Sequence, residues 1–199
     1  SQEDIDSWAA KFRLISGRPL DEANPILDTQ LELGSSSSGS ASQIRARIAI
    51  VQRPLSPDGL SYAIRRHREE PWTLHLFVQN KMLNPLAAGF LSFLVDGSRT
   101  LLVAGTRSSG KTSLLGSLML EIIPKYRVIV IEDSLELPVE SLRKLKYDIL
   151  RMKVRSALLK TTTEVSADDG IRTSLRLGDS SLIIGEVRSV EAQALYEAM

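Results

Sequence analysis

The chain has 199 residues, 43% of them hydrophobic and 25% charged, which is enough for one large hydrophobic core or two smaller ones. Its 25 basic and 24 acidic side chains leave a formal net charge of +1, so the overall charge gives no reason to expect a nucleic acid or an anionic membrane as a partner. Because it lacks cysteine and any apolar stretch long enough to span a bilayer, we expect a cytoplasmic protein without disulfides, peripheral at most to a membrane.

Residues 1–80 predict a small α+β domain. A helix is expected over residues 3–16, because apolar side chains recur on one helical face and Gly17 follows as a stop. Three segments then alternate apolar and polar residues as half-buried antiparallel strands do: Ile26–Leu33, Ile44–Gln52 and Leu60–Arg66. The Gly/Ser-rich stretch Gly34–Ser42 between the first two strands favours a hairpin tip.

Residues 81–199 predict a second domain, preceded by a short helix at Trp72–Gln79 that we interpret as a hinge. It opens with a helix that Asn84 caps, Pro85 starts and Gly97 ends. Strands and helices then alternate, the strands at Thr100–Ala104, Arg127–Glu132, Asp148–Val154 and Ser181–Gly185 and the helices at Gly110–Ile123, Val139–Tyr147 and Ala167–Leu177. Nearly continuous apolar strands separated by helices indicate an α/β fold with a parallel sheet covered on both faces.

The strongest motif follows the first of these strands, where Leu101–Thr112 reads LLVAGTRSSGKT and fits the pattern GxxxxGK[ST]. Glycines in such a loop let backbone N–H groups surround one concavity, and the following helix adds the positive end of its dipole. Lys111 is expected to reach the β and γ phosphates of ATP, and the hydroxyl of Thr112 to ligate Mg²⁺. The expected cofactor-binding residues are the whole loop: Gly105, Thr106, Arg107, Ser108, Ser109, Gly110, Lys111, Thr112 and Ser113.

Two carboxylates follow predicted parallel strands of the same domain. Glu132 ends Arg127–Glu132, and Glu186 is the first acid after Ser181–Gly185, where Gly185 allows the backbone to approach closely. The carboxyl ends of parallel strands meet at one edge of a sheet, which is where hydrolysis of a bound nucleotide needs a carboxylate. Either acid alone would favour a helix cap or a surface turn, but both together beside a phosphate loop favour a hydrolytic site.

These motifs together resemble those of the secretion ATPase family, the hexameric motors of type II and type IV secretion, type IV pili and the archaeal flagellum. Glu132–Leu137 (EDSLEL) is similar to the aspartate box of the family, and Gly185–Ala192 (GEVRSVEA) to its atypical Walker B segment. Weaker similarity extends upstream to PDG at residues 57–59, to Tyr62–Arg66 and to Glu70–Thr73, the last most like the archaeal branch. The resemblance implies that the second domain is a RecA-like P-loop NTPase domain.

Catalytic roles follow from this resemblance. It implies that Glu132 polarises the attacking water and that Glu186 acts on Mg²⁺, directly or through water. It places Arg188 at the nucleotide or at a subunit boundary, and it implies that Arg65 and Arg66 close over the phosphates as arginine fingers do. A guanidinium that reaches developing γ-phosphate charge can be worth about 10³–10⁵ in rate.

The remaining basic residues have less specific interpretations. For Arg45 and Arg47 we favour an exposed strand edge protected by charge. Arg172 and Arg176 lie four residues apart on one helical face, where the resemblance suggests a subunit contact and a solvated stripe is the alternative. The basic run Arg143–Lys160 would suit a nucleic-acid translocase that tracks phosphates.

The resemblance implies an ATPase that acts as a homo-hexamer in its full-length form, at the cytoplasmic side of a membrane platform protein of a secretion or pilus system. Nucleic acid is not an expected partner. The family pattern continues past the Walker B helix into a histidine box, whereas this chain ends at Met199, so the RecA-like domain is expected to be C-terminally incomplete. We expect this chain by itself to bind ATP but not to hydrolyse it. The alternatives are a nucleic-acid translocase and a nucleotide-binding regulatory module without hydrolysis.

Overall fold

The computed structural model describes residues 2–34, 43–68, 70–154, 165–187 and 191–198. The chain divides into two compact units, Ser1–Glu69 and Glu70–Met199. The division falls ahead of residue 80, the boundary expected from the sequence, because the helix α2 (Leu74–Gln79) belongs to the second unit. Its buried Leu74 packs with Ala88 and Leu118 of that unit.

The first unit contains a helix and an antiparallel sheet. Its elements are α1 (Gln2–Ser16), β1 (Ile26–Gly34), β2 (Gln43–Val51) and β3 (Ser61–Arg66), and the sheet order is β1-β2-β3. The four predicted elements are thereby confirmed. The alternation of the strands turns Leu27 and Ile48 toward Ala9 and Phe12 of α1, which form one core. The hairpin tip predicted between β1 and β2 lies outside the described residues.

One prediction for this unit is wrong. The sheet order makes β2 the central strand, so Arg47 does not lie on an exposed edge. Its guanidinium forms an ion pair with Asp28 of β1, with Nε 3.1 Å from Oδ1 and Nη2 2.7 Å from Oδ2. The Asp28 side chain is only 6% exposed, so the arginine compensates a buried carboxylate. The side chain of Arg45 lies outside the described residues.

The second unit contains six helices and three strands, counted over the residues the structure describes. They are α2, α3 (Pro85–Asp96), α4 (Lys111–Met119), β4 (Arg127–Glu132), α5 (Val139–Lys144), β5 (Ile149–Lys153), α6 (Ala167–Ser174), β6 (Ser180–Ile184) and α7 (Glu191–Ala198). The sheet order is β5-β4-β6, with both pairs parallel. The predicted α/β class, a small α+β part followed by a unit with a parallel sheet, is confirmed.

Both faces of the parallel sheet are covered. Val128 and Val130 of β4 pack against Met119 and Ile122 on one side. The alternate residues of the same strand pack on the other side, where α6 and α7 supply Ile171 and Ala194. Glu132, two residues beyond Val130, therefore continues the face that carries α4. Among the described residues, no helix has the length and apolar character needed to cross a membrane.

The predicted strand Thr100–Ala104 is wrong, because this segment pairs with no strand of the described chain. The alternation of buried and exposed side chains in this segment comes from its packing against helices. Leu101 and Val103 pack into the helical core that includes Leu118 of α4, while Leu102 is 83% exposed. The segment is thus anchored by side chains on helices instead of by ladder hydrogen bonds.

The helix predicted over Gly110–Ile123 is shorter in the structure and ends at Met119. Beyond it the chain continues in tighter turns, in which the N–H groups of residues 120, 121 and 122 donate to carbonyls three residues back. Ile122 is still buried there, so the apolar pattern that predicted a longer helix reflects packing of these turns. Pro124 then prevents any continuation.

Candidate functional site

The loop between residues 105 and 113 has the backbone that a phosphate cradle requires. Gly110, directly before α4, has φ +85°, a left-handed conformation that glycine adopts without steric cost. Gly105 lies against the other side of the loop, where a Cβ would be 2.5 Å from Oγ of Ser109. Ser108 also has a positive φ, of 61°. The loop therefore curls back on itself immediately before the first turn of α4.

Lys111 extends across this loop. Its Nζ donates a hydrogen bond to the carbonyl of Thr106 at 2.7 Å. Among the residues that the structure describes, Lys111 has no carboxylate within ion-pair distance. Thr112 and Ser113 are half-buried at the start of the nine-residue helix. A charged ammonium group and the positive end of α4 thus lie at one concavity, which fits a phosphate group.

Glu132 is a buried carboxylate at the carboxyl end of β4. It is 3% exposed, and its Oε1 accepts hydrogen bonds from the N–H groups of Glu136 and Leu137, both at 2.8 Å. Burial raises the pKa of Glu132, an effect that these two N–H groups and the nearby Arg151 oppose and that the carboxylate of Glu136 reinforces. The loop after β4 therefore folds back to hold its own strand-end carboxylate.

Glu132 lies beside the end of β6. The N–H of Gly185 donates to the carbonyl of Ile131 at 2.8 Å, which continues the parallel pairing of β4 and β6. A Cβ on Gly185 would lie 3.1 Å from Cγ of Glu132, so glycine leaves the space that this side chain uses. Glu186 follows directly and is exposed. The structure thus brings the two strand-end segments together, as expected for parallel neighbours.

The loop that follows β4 and holds Glu132 also contacts α4, the helix directly after residues 105–110. A Cβ on Gly116 of α4 would lie 3.2 Å from Cδ of Pro138, which directly follows the segment that holds Glu132. Gly116 is five residues after Lys111, about 7.5 Å along a helix axis at 1.5 Å per residue. The amino end of α4 and the buried carboxylate therefore belong to one region of the second unit.

Arg151 of β5 completes the surroundings of Glu132. Its Nε lies 3.7 Å from Oε2 of Glu132, its Nη1 3.2 Å from Oε1 of Glu140, and its Nη2 donates to the carbonyl of Leu137 at 3.2 Å. The Arg151 side chain is 11% exposed. Glu140 also pairs with Arg143, at 3.1 Å. Two arginines of the basic run that suggested a nucleic-acid surface are therefore engaged within the protein.

Other predicted residues belong to other elements or lie outside the described residues. Arg65 and Arg66 are exposed residues of β3 in the first unit. Arg188 lies outside the described residues. Arg172 pairs with Asp168 at 3.2 Å and with Glu197 of α7 at 2.9 Å, so it joins two helices of this chain. Over the described residues, no three acidic or histidine side chains form a cluster able to hold a metal ion by themselves.

A family comparison identifies the relatives of this chain. The model of the family described as type II/IV secretion system protein matches residues 6–199. The chain belongs to this family. The resemblance drawn from the phosphate loop, the aspartate box and the GEVR segment is therefore confirmed at the level of the secretion-system family.

Alignments with individual relatives cover most of this chain but only about half of each relative. A Mycobacterium tuberculosis protein that carries the name of a conjugal transfer protein is 28% identical over 191 residues, which are 96% of this chain and 51% of that protein. The type IV secretion system protein PtlH of Bordetella pertussis is 30% identical over 178 residues, covering 76% of this chain and 50% of PtlH. The chain thus spans about half the length of these curated relatives.

Among solved structures, the VirB11 ATPase of the Brucella suis type IV secretion system, in complex with sulphate, covers 86% of this chain and 60% of its own. The sequence identity is 24% and the TM-score 0.29. A likeness of this size does not superpose the two structures closely enough to transfer the position of any residue.

Sequence reasoning missed one residue of the site in this family member. Arg151 is a charged side chain near the middle of the apolar segment predicted as the strand Asp148–Val154. An arginine that points to the covered face of a parallel strand needs a carboxylate partner. That signal was present in the sequence, but the identity of the partner depends on which strand lies beside β5.

Proposed function

We propose that this chain binds ATP with Mg²⁺ at the loop Gly105–Ser113 and that its full-length form hydrolyses ATP as a motor subunit of a type II/IV secretion, type IV pilus or archaeal flagellum system. The observation that carries the proposal is that α4, the helix directly after this loop, and the buried Glu132 at the end of β4 lie on one face of the same parallel sheet. Membership in the secretion-system family supports the biological setting.

The residues of the second unit have distinct roles in this proposal. Lys111 neutralises the β and γ phosphates, and the N–H groups at the start of α4 bind phosphate oxygens. Thr112 and Glu186 hold Mg²⁺, which when bound neutralises charge on the phosphates. Glu132 accepts a hydrogen bond from the attacking water and so orients it in line with the γ-phosphate. Mg²⁺ is ordinarily held by few protein ligands together with phosphates, which is compatible with the finding that the described residues form no acidic cluster able to hold it by themselves.

Three further arginines and the assembly are part of the proposal. Arg65, Arg66 and Arg188 supply positive charge to the transferring phosphoryl group. The full-length protein acts as a homo-hexamer in the cytoplasm, against a membrane platform protein at the inner face of the cell membrane. The names of the relatives, which refer to conjugal transfer and type IV secretion, support this setting.

Two substitutions in the full-length protein test the proposal. Lys111→Ala removes the ammonium group at the loop and should weaken binding of Mg-ATP about 10- to 100-fold, since a charged hydrogen bond is worth about 1.5–3 kcal/mol. Glu132→Gln should leave that affinity within about twofold and lower kcat by about 10²–10⁴, the range of a lost general base. A fluorescent ATP analogue measures binding, and phosphate release measures turnover.

Lys144→Ala is the matched control, because it removes the same side chain from the exposed last turn of α5. It should change neither measurement. Unaltered binding in Lys111→Ala would overturn the assignment of the phosphate loop. Binding without turnover in the wild-type protein would favour a regulatory module over a motor.

A further inference from the structure

We propose that Arg151 is a positioning residue for Glu132, fixing the direction of its carboxylate and hence the alignment of the water that attacks ATP. The inference rests on the proposed role of Glu132 in hydrolysis. Arg151 bonds or pairs with Glu132, Glu140 and the carbonyl of Leu137, which all belong to β4, α5 or the segment between them. Its effect is therefore expected on turnover and not on nucleotide affinity.

A closed ring of contacts joins Arg151 to Glu132 through the backbone of one residue, Leu137. The N–H of Leu137 donates to Oε1 of Glu132 at 2.8 Å, and the carbonyl of Leu137 accepts from Nη2 of Arg151 at 3.2 Å. The ring closes where Nε of Arg151 lies 3.7 Å from Oε2 of Glu132. Arg151 thus acts on one carboxylate oxygen directly and on the other through the backbone of Leu137, whose N–H binds it.

The strands dictate this arrangement. Arg151 of β5 stands in register with Val130 of β4, and Glu132 is the next residue of β4 on the same face. The guanidinium is itself held by Glu140 of α5, 3.2 Å from Nη1. Its planar fork therefore addresses three partners in fixed directions, which the single ammonium group of a lysine would not reproduce.

The carboxylate retains an acceptor position that a water could use. Oε2 of Glu132 is buried and has no hydrogen-bond partner among the described residues. At 3.7 Å the guanidinium attracts this oxygen without a hydrogen bond, so its lone pairs remain available. A carboxylate bound at one oxygen and left open at the other is suited to orient a single water.

The test uses the full-length protein with Arg151→Gln and Arg151→Lys. We expect kcat of Arg151→Gln to fall about 10- to 100-fold, as misalignment of a reacting group does, with Mg-ATP affinity within about twofold of wild type. Arg151→Lys keeps the positive charge but loses the planar guanidinium, so its kcat should lie between that of wild type and that of Arg151→Gln. In a Glu132→Gln background, Arg151→Gln should cause no further loss, because both substitutions remove the same interaction.

Arg143→Gln is the matched control. Arg143 also pairs with Glu140 and donates to the carbonyl of Ile149 in β5, but it has no contact with Glu132. Its kcat should equal that of wild type. An equal fall in Arg143→Gln and Arg151→Gln, or unchanged kcat in Arg151→Gln, would overturn the proposal.

Two further measurements keep the outcomes distinct. If Arg151→Gln fails to fold, as judged by thermal unfolding, Glu140→Gln removes one anchor of the guanidinium from the exposed side and should lower kcat less, at unchanged affinity. Wild-type kcat in Glu140→Gln would then overturn the proposal. Equal kcat in wild type and Glu132→Gln would overturn the role of Glu132 itself, and the inference with it.

Discussion

Glu132 combines burial with several charged and polar neighbours, and their balance can be measured. Burial raises its pKa above that of an ordinary glutamate, while the N–H groups of Leu137 and Glu136 and the Arg151 guanidinium of β5 oppose the rise. The carboxylate of Glu136 adds to it. Glu140 of α5 affects Glu132 only indirectly, by its ion pair with Arg151. The α4 residue that contacts this loop is the uncharged Gly116. The folded protein therefore holds the Glu132 proton more tightly than the unfolded chain does.

The raised pKa predicts how stability changes with pH. Between the unfolded and folded pKa values of Glu132 the folded state carries more protons, so the free energy of unfolding falls as pH rises through that window. Glu132→Gln has no such titrating proton, so the stability of wild type relative to the variant should decrease as the pH rises above the ordinary pKa range of a glutamate. Urea unfolding of both proteins at pH values within and above that range measures this decrease. A relative stability that increases with pH would show that the ion pair and hydrogen bonds outweigh burial.

At the scale of single residues, the sequence indicates which side chains are candidates for a site, but it does not indicate which side chains they contact. Glu132 and Lys111 are predicted as site residues because a strand end and a glycine-rich loop mark them locally in the sequence. Arg47 was assigned to an exposed edge because nothing near it in sequence indicates that Asp28 lies diagonally across the ladder. Arg151 was missed for the same reason, since its partners lie 14 and 19 residues away along the chain.

At the scale of elements, two helical glycines of the second unit should respond in opposite ways to alanine. Gly89 of α3 is exposed, and a Cβ there would meet nothing within 4 Å. Gly89→Ala should therefore raise the free energy of unfolding by about 0.5–1 kcal/mol, the helix preference of alanine over glycine. Gly116→Ala should lower it, because a Cβ 3.2 Å from Cδ of Pro138 forces a repacking that costs about 1–3 kcal/mol.

Chemical denaturation of the two variants checks the pair, each serving as the control for the other. A gain in both would mean that the contact between α4 and Pro138 yields without cost. A loss in both would mean that Gly89 does not occupy an open position of α3. Gly116→Ala should also lower kcat, because the displaced loop carries the N–H groups that bind Glu132.

The elements that the sequence predicted correctly have strong local signals. Asn84, Pro85 and Gly97 mark both ends of α3, and the structure shows the expected cap, with the N–H of Leu86 donating to Asn84 at 2.8 Å. The segment Thr100–Ala104 has an equally clear apolar pattern, yet it is no strand. A strand exists only where a neighbour supplies ladder hydrogen bonds, and no local pattern states which neighbour is present.

At the scale of the whole molecule, the phosphate loop and Glu132 both lie in the second unit. The two units were foreseeable from the change between antiparallel and parallel strand patterns. The boundary expected at residue 80 follows α2, because a short helix near a composition change does not reveal which core its apolar side chains join. Here Leu74 joins the core of the second unit.

Mg-ATP should therefore stabilise the second unit of the full-length protein by mass action. A ligand that binds only the folded state adds about 2.7 kcal/mol of stability at a concentration 100 times its Kd. Hydrogen exchange of the buried amides of β4, such as those of Ile129 and Val130, measures this, because strands at the centre of a core exchange through large-scale unfolding. The predicted slowing is about 100-fold with Mg-ATP.

Lys111→Ala at the same nucleotide concentration should show little slowing, whereas Lys144→Ala should match wild type. Equal slowing in Lys111→Ala would place the nucleotide away from the loop and contradict the role given to its lysine.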